Sequence, residues 1–373
     1  MGHSLFGGAG APAARASAVA EVLVGAAEGL PPGQRILLID EETGLTQAAL
    51  TEAGHKVSLW RRYAGKGIVG RPWPAAGEAD VVMLRFPRAR EAQAFALDAA
   101  ASRLVVGGTL FVVGANDEGI KSAGDRIATL FTAVESVDAR RHCRLWKATR
   151  PAEVPALRGS LEAWKKHGTM DILGEERPWV SYPGLFAQGG LDQGSALLAA
   201  HLPALPPNAI VFDFGCGTGV LSAALRAKVP GVQLQMLDHD AIAIIAAREN
   251  VPGAMAICGL SMGALPLWQR YHAIISNPPL HQGKDRTLAP LTELLQAAPS
   301  RLIDEGKLIL VVQRHEPLQK PLQELFLNVA LLAEDSRYRV WCASKPHAWV
   351  LAPEAPAEEA AEERPRRKKR RED

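Results

Sequence analysis

Two short segments in the second half of the chain carry residue types whose spacing could do chemistry. Val211-Phe212-Asp213-Phe214-Gly215-Cys216-Gly217-Thr218-Gly219 sets an acid near the end of an apolar run and three glycines at alternate positions after it. Glycine lacks a Cβ and accepts positive φ, so such a turn lets backbone pass close to a ligand at the carboxyl end of a strand. A dinucleotide fingerprint reads G-x-G-x-x-G, whereas this segment reads G-x-G-x-G. Further on, Ser276-Asn277-Pro278-Pro279-Leu280 follows another apolar run. The Asn277 side-chain oxygen and a carbonyl of the proline pair, held rigid by fixed φ angles, can accept both N–H bonds of a planar amine and so restore its lone pair. A group transfer arranged in this way depends on positioning and requires neither a catalytic triad nor a metal.

A third acid, Asp238, ends the next apolar run roughly 20 residues beyond Gly219, where a carboxylate can accept hydrogen bonds from two ribose hydroxyls. His239 and Asp240 follow at once, so the sequence leaves open which acid makes that contact. Cys216 and Cys258 can line the same site, in character as small packing residues rather than nucleophiles.

The D-x-G-x-G-x-G segment resembles the cofactor turn of class I S-adenosylmethionine-dependent methyltransferases. Asn277-Pro278-Pro279-Leu280 resembles the N-P-P-[FYW] signature of methyltransferases that act on planar amines, with Leu280 in place of the aromatic that stacks on the target ring. In wider context, Ser276 to Gly283, Tyr182 to Ser195 and Val112 to Lys121 are similar to the bacterial ribosomal RNA guanine-N2 methyltransferases, of the small-subunit 16S type or the related large-subunit 23S type. The resemblance covers nearly the whole chain before its tail. It implies S-adenosyl-L-methionine as cofactor and ribosomal RNA or a ribosomal subunit as partner, with catalysis in the second of two tandem domains.

Carried onto this sequence, the resemblance implies cofactor binding by Phe186, Asp192, Gly194, Asp213, Gly215, Cys216, Gly217, Gly219, Asp238 and Asn277, catalysis by Asn277, Pro278, Pro279 and Leu280, and no metal. Near Ala256 to Leu260, where the fold usually meets the adenine amine, the chain lacks the expected Asp or Asn. Two other readings stay open: methylation of a protein glutamine amide or of adenine N6, and a catalytically inactive RNA-binding or ribosome assembly factor.

The elements that must position these residues are legible as apolar runs separated by helical stretches. Arg35 to Asp40, Val57 to Trp60, Asp80 to Leu84 and Thr109 to Val113 form one set; Ile210 to Asp213, Gln233 to Asp238, Ala273 to Ser276 and Lys307 to Val312 form the other. Continuous apolar strands predict parallel sheets covered on both faces, hence an α/β fold of two tandem doubly wound, Rossmann-like domains, each with an antiparallel edge hairpin. Tyr338 to Leu351 reads as such a hairpin. The sets agree in order and chemistry, with an acid ending the first strand (Asp40, Asp213) and a proline turn later (Phe86-Pro87, Asn277-Pro278), which reads as an internal duplication.

The expected division is a degenerate, non-catalytic domain at 1–155, a linker at 156–180 with a short helix over Leu157 to Lys166 followed by turns, a catalytic domain at 181–353, and a disordered acidic-then-basic tail at 354–373. In the first copy Asp40-Glu41-Glu42-Thr43-Gly44 replaces the glycine turn and Phe86-Pro87-Arg88-Ala89 replaces Asn-Pro-Pro-Leu, so neither half-site survives. Arg61, Arg62, Arg85, Arg88 and Arg90 are read as surface residues, which by the family resemblance help hold structured RNA.

A chain of 373 residues with 47% hydrophobic content suits two such domains, and a net charge of +2 neither demands nor excludes nucleic acid. The four cysteines have no C-x-x-C pairing, which argues against a disulfide framework or zinc site and favours a reducing cytoplasm. The alanine-rich start carries Arg15, Glu21 and Glu28 and reads as an amphipathic helix, and no run approaches a membrane span. Oligomeric state is silent in the sequence, and a monomer is compatible with it.

Overall fold

The structure, a computed structural model, describes residues 10–351 apart from 267, 280, 283, 284 and 287. The first half runs α1 (Gly10–Ala27), β1 (Arg35–Ile39), α2 (Leu45–Glu52), β2 (Lys56–Trp60), β3 (Ala79–Arg85), α3 (Arg90–Ala101), β4 (Leu104–Ala115), α4 (Ala123–Ile127), β5 (Thr132–Asp138) and β6 (Cys143–Thr149). Its sheet has the order β2-β1-β3-β4-β6-β5, with β6 and β5 antiparallel at one edge. Alternate residues of each central strand feed opposite cores. Ile36, Leu38, Val81 and Met83 meet Val19, Val22 and Leu23 of α1, while Ile39, Val82 and Leu84 meet Phe95 and Leu97 of α3. Burial on both faces is why these strands read as unbroken apolar runs.

The second half continues with β7 (Lys166–Ile172), β8 (Glu175–Ser181), α5 (Gln193–Ala200), β9 (Ile210–Phe214), α6 (Val220–Lys228), β10 (Gln233–Asp238), α7 (Ala241–Asn250), β11 (Met255–Cys258) and β12 (Tyr271–Ser276). Then come β13 (His281–Gln282), β14 (Asp285–Arg286), α8 (Ala289–Arg301), β15 (Leu302–Gln313), α9 (Gln319–Leu325), β16 (Phe326–Glu334), β17 (Tyr338–Pro346) and α10 (Ala348–Leu351). The order β11-β10-β9-β12-β15-β17-β16 repeats that of the first sheet, with β11 added at the edge. That extra strand explains why the acid and the proline turn lie closer together in the first copy. Each copy is thus a mostly parallel sheet closed by an antiparallel pair.

Two local expectations need correction. The edge hairpin of the second sheet is formed by β16 and β17, and Ala348–Leu351 is a helical turn. β16 reads Phe-Leu-Asn-Val-Ala-Leu-Leu-Ala-Glu, and as an edge strand it leaves Leu327, Leu331 and Leu332 exposed, so no alternation betrays it. Within the segment read as a linker, only Glu162–Trp164 is helical, as one 3₁₀ turn, and β7 and β8 pair as a hairpin. Leu173 (φ 57°) and Gly174 (φ 89°) both take positive φ, as type I′ hairpin turns require. The expected tail, 354–373, lies outside the described residues. No helix among the described residues is long and apolar enough to cross a membrane.

The halves share a core. Ile242, Ala243 and Ala246 of α7 pack in one cluster with Trp60, Phe95 and Tyr182, so the helix that follows Asp238 is buried against the first sheet.

Candidate active site

β9 and β12 lie side by side in parallel at the point where the strand order reverses, the position at which doubly wound sheets bind ligands. Their carboxyl ends are tied together: Ser276 is opposite Phe214, and its hydroxyl donates to the Phe214 carbonyl at 2.7 Å. The glycine turn and the Asn-Pro-Pro loop therefore leave the sheet from the same edge.

The three glycines are required for three different reasons. Gly215 (φ 69°) faces the opposite loop, since a Cβ there would lie 3.5 Å from Pro279 Cδ and 3.9 Å from the Asn277 carbonyl oxygen. Gly217 (φ 53°) borders open space. Gly219 (φ 90°) precedes α6 and is packed so closely that a Cβ would come within 2.8 Å of Val251 Cγ2. The turn is anchored by the Leu237 carbonyl, which accepts from the N–H groups of both Gly215 and Cys216.

Asp213 is fully buried beneath this turn. Ser222, one turn into α6, donates to its Oδ2 at 2.7 Å, whereas Oδ1 is buried without a hydrogen-bond partner. Burial pushes its carboxyl up to about 7, against the pull of Ser222. Asp238 is buried too, yet it is held below the ordinary carboxylate range. Burial opposes its charge, but His239, the Asp240 N–H and the Gly217 N–H, at 3.2, 2.9 and 2.9 Å, outweigh burial. Asp240 faces away to cap α7 and pair with Arg62. Geometry therefore assigns Asp238, not Asp240, to the open side of the glycine turn. Cys216 is buried and its thiol is pushed well above its ordinary value, so it packs rather than reacts.

Asn277 is oriented by residues far away in sequence. Its Nδ2 donates to Ser195 Oγ at 2.9 Å and to Asp192 Oδ2 and Oδ1 at 3.2 and 3.3 Å. With its nitrogen held on that side, the side-chain oxygen faces the other way and is free to accept. Asp192 is itself fixed as the N-cap of α5, accepting from the N–H groups of Gly194 and Ser195. Pro278 is buried, and Pro279 packs towards Gly215.

The expected residues thus fall into separate groups. Asp192, Gly215, Asn277, Pro278 and Pro279 converge at one point, and Asp213, Gly217 and Asp238 at an adjoining one. Gly194 is at a packing contact, where a Cβ would meet Tyr338 at 3.0 Å. Phe186 is 69% exposed on the 3₁₀ turn Phe186–Gly189. Leu280 lies outside the described residues. Sequence reading missed Ser195 and Ser222, the partners of Asn277 and Asp213. Ser195 was visible only as part of Asp192-Gln-Gly-Ser195, a helix N-cap pattern.

The corresponding place in the first domain is filled by its own side chains. Glu41 folds into the turn and accepts from the Thr43 and Gly44 N–H groups and the Thr43 hydroxyl, with Arg61 at 3.8 Å. Glu118 is clasped by Arg85 and Arg88, which overcome its burial and pull its carboxyl down to about 2. Arg62 is buried against Asp240. The expectation of a surface set of arginines is therefore corrected: Arg61 is engaged by Glu41, Arg62 by Asp240, and Arg85 and Arg88 by Glu118, and of the five Arg90 is the one left exposed without such a pairing.

The second site fits S-adenosylmethionine by its own features: open space at Gly217, a charged Asp238 beside it, and an unpartnered buried oxygen on Asp213. Residues 176–342 match the Methyltransferase small domain family, and residues 32–167 match the Methyltransferase small domain N-terminal family. Ribosomal RNA small subunit methyltransferase C of Ectopseudomonas mendocina is 32% identical over 321 residues, covering 85% of this chain and 93% of that protein. The protein of the same name from Shewanella loihica is 29% identical over 327 residues, covering 84% and 94%. Among solved structures, the T. thermophilus 16S rRNA N2 methyltransferase RsmC, in complex with AdoMet and guanosine, superposes with a TM-score of 0.76 at 25% identity, covering 88% of this chain and 92% of that one. With a family match in each of its two domains and a relative above 30% identity along most of its length, the chain belongs to the ribosomal RNA small subunit methyltransferase C family.

Proposed function

We propose that this protein methylates the exocyclic N2 amine of a guanine in small-subunit ribosomal RNA, with S-adenosyl-L-methionine as the methyl donor. The observation that carries the reading is Asn277, whose amide nitrogen is held by Ser195 and Asp192 while its oxygen is left to accept, in a loop facing the glycine turn. When bound, the cofactor supplies a methyl group already activated by a positive sulfonium.

Asn277 Oδ1 and the Pro278 carbonyl accept the two N–H bonds of the amine, which withdraws its lone pair from the ring and aims it along the line of transfer. The prolines fix that carbonyl, and the Ser276–Phe214 hydrogen bond fixes the loop relative to the cofactor turn. Asn277, a neutral amide, accepts without taking the proton, which leaves to water after transfer. Asp238 holds the ribose hydroxyls, and Asp213 with Gly215, Gly217 and Gly219 shapes the rest of the cofactor site. In the same reading, the first domain is non-catalytic, because its own carboxylates and arginines fill the place of the cofactor. The target base must be unpaired or turned out of its helix to reach this cleft.

The test is methyl transfer from labelled S-adenosylmethionine to 16S rRNA, 23S rRNA, DNA and translation factors, with nucleoside mass analysis of the products. N2-methylguanosine in 16S rRNA is expected. Label found only in protein, or only in N6-methyladenine, refutes the assignment.

A further inference from the structure

The adenosyl end of the cofactor site is the part the second domain leaves least furnished, with no acid or amide side chain between Ala256 and Leu260. A segment of the first domain comes to that end. After β2 the chain runs antiparallel to the Asp238–Ala241 turn: Ala64 N–H donates to the His239 carbonyl at 2.7 Å, Ala241 N–H donates to the Arg62 carbonyl at 3.1 Å, and Tyr63 bridges Asp240. Arg62 grips Asp240 with two nitrogens at 2.8 and 2.6 Å and donates a third bond to the Pro183 carbonyl. Gly70, on the returning limb, allows the close fit: a Cβ there would lie 2.7 Å from the Arg62 oxygen and 3.0 Å from Cys258 Sγ.

Between these buried anchors sits Tyr63. Its ring is stacked on His239, with centroids 5.2 Å apart and planes inclined by 25°. The His239 Nδ1 in turn lies 3.2 Å from Asp238 Oδ1, and the other Asp238 oxygen accepts from Gly217. One contact chain thus links the first domain to the glycine turn through an imidazole. Arg62 and Ala64 are buried, as a purely structural joint requires, yet Tyr63 and the His239 side chain remain 39% and 37% exposed. Leu260 is exposed just past Gly259, whose N–H donates to the Asp238 carbonyl. An aromatic pair left half open beside a ribose-binding acid is the surface on which a purine ring stacks.

Resting on the cofactor reading above, we propose that the catalytically silent domain completes the S-adenosylmethionine site through Tyr63, which positions His239 and with it forms the stacking shelf for the adenine ring. The first domain then sets cofactor affinity directly, in addition to anything it does with RNA.

The test is calorimetric binding of S-adenosylmethionine and of 5′-methylthioadenosine, which carries the adenosyl end alone, to the full chain. Tyr63→Ala is expected to weaken both ligands by the same factor, about tenfold, and to raise KM for S-adenosylmethionine far more than it lowers kcat. Tyr63→Phe restores affinity to within about twofold, which a requirement for the hydroxyl does not predict. Should Tyr63→Ala misfold, Tyr63→Leu keeps apolar bulk without the ring and is expected to show the same loss. Wild-type affinity for both ligands in a folded Tyr63→Ala or Tyr63→Leu protein overturns the proposal and leaves the cofactor reading intact. Absence of S-adenosylmethionine binding by the unaltered chain overturns that reading and this one together.

Discussion

Ser195 Oγ accepts a hydrogen bond from Asn277 Nδ2 at 2.9 Å across 82 residues of sequence, so the Asn277 side chain is aimed by the first turn of α5. Asn277→Ala removes the acceptor itself and is expected to lower single-turnover methylation of 16S rRNA by about 10² to 10³, the usual effect of deleting one preorganised hydrogen-bonding group at a reacting centre. Ser195→Ala leaves Asp192 as the only brace, so a loss of about fivefold is expected, in line with roughly 1 kcal/mol for one hydrogen bond. Cofactor affinity should be unchanged in Ser195→Ala. A parallel loss of S-adenosylmethionine binding would show that Ser195 acts on the donor side instead.

Much of this site was legible because its determinants are local. Asp213, the alternating glycines and Asn277-Pro278-Pro279 are contiguous, and the strands before them are buried on both faces, so Val211 and Phe212 or Ile274 and Ile275 leave no polar gap. What sequence could not supply are partners brought in by topology. Ser195 lies 82 residues before Asn277, with two α-helices and four strands in between, and Arg62 is separated from Asp240 by 178 residues, so no periodicity links them. The arginines of the first copy look like a nucleic-acid surface until their acids are in place, because a one-dimensional pattern of charge says nothing of pairing. β16 escaped for a different reason: an edge strand with exposed leucines lacks the alternation by which half-buried strands are recognised.

Glycine replacements should separate cofactor space from packing. At Gly219 a Cβ meets Val251 at 2.8 Å in backbone with φ 90°, so Gly219→Ala is expected to cost about 2–4 kcal/mol of stability through overpacking and strain. Gly217→Ala meets nothing in the protein and carries only the strain of φ 53°, about 1 kcal/mol. Its methyl group instead enters space assigned to the cofactor, so the dissociation constant for S-adenosylmethionine should rise at least tenfold while the unfolding midpoint barely moves. Denaturant unfolding together with calorimetric titration distinguishes the two. A Gly217→Ala protein that binds the cofactor normally would contradict the placement.

The Arg62–Asp240 pair joins the halves in a buried setting, with side chains only 4% and 9% exposed. Removing one partner strands the other charge away from water, so Arg62→Met is expected to destabilise by about 3–5 kcal/mol. Adding Asp240→Asn neutralises the stranded charge and keeps a side-chain oxygen for the Ile242 N–H, so the double variant should recover most of that loss. Equal stability of the single and double variants in urea unfolding would mean that packing, not charge, dominates the joint.

Asp213 predicts a pH dependence of definite sign. Its folded-state value, about 7, lies above the ordinary 3.8, so the folded protein holds a proton that the unfolded chain has released. Stability from this group is therefore present below about pH 4, declines as the pH rises through the interval to about 7, and is flat beyond, a total on the order of 2–4 kcal/mol. Asp40, raised to about 6 by burial, acts in the same direction, so the informative quantity is the difference between wild type and Asp213→Asn. Asparagine accepts the Ser222 hydrogen bond without a charge to bury, and the variant's melting temperature should exceed that of wild type at pH 8, by less at pH 5, and converge with it near pH 4. In the proposed reading Asp213, whose Oδ1 is buried without a partner, shapes the cofactor site, so the same replacement should weaken S-adenosylmethionine binding. A cofactor that supplies a donor to that oxygen also narrows the stability gap at pH 8 when present in excess. Parallel melting curves for the two proteins from pH 5 to pH 8 would show that Asp213 is already ionised in the folded state.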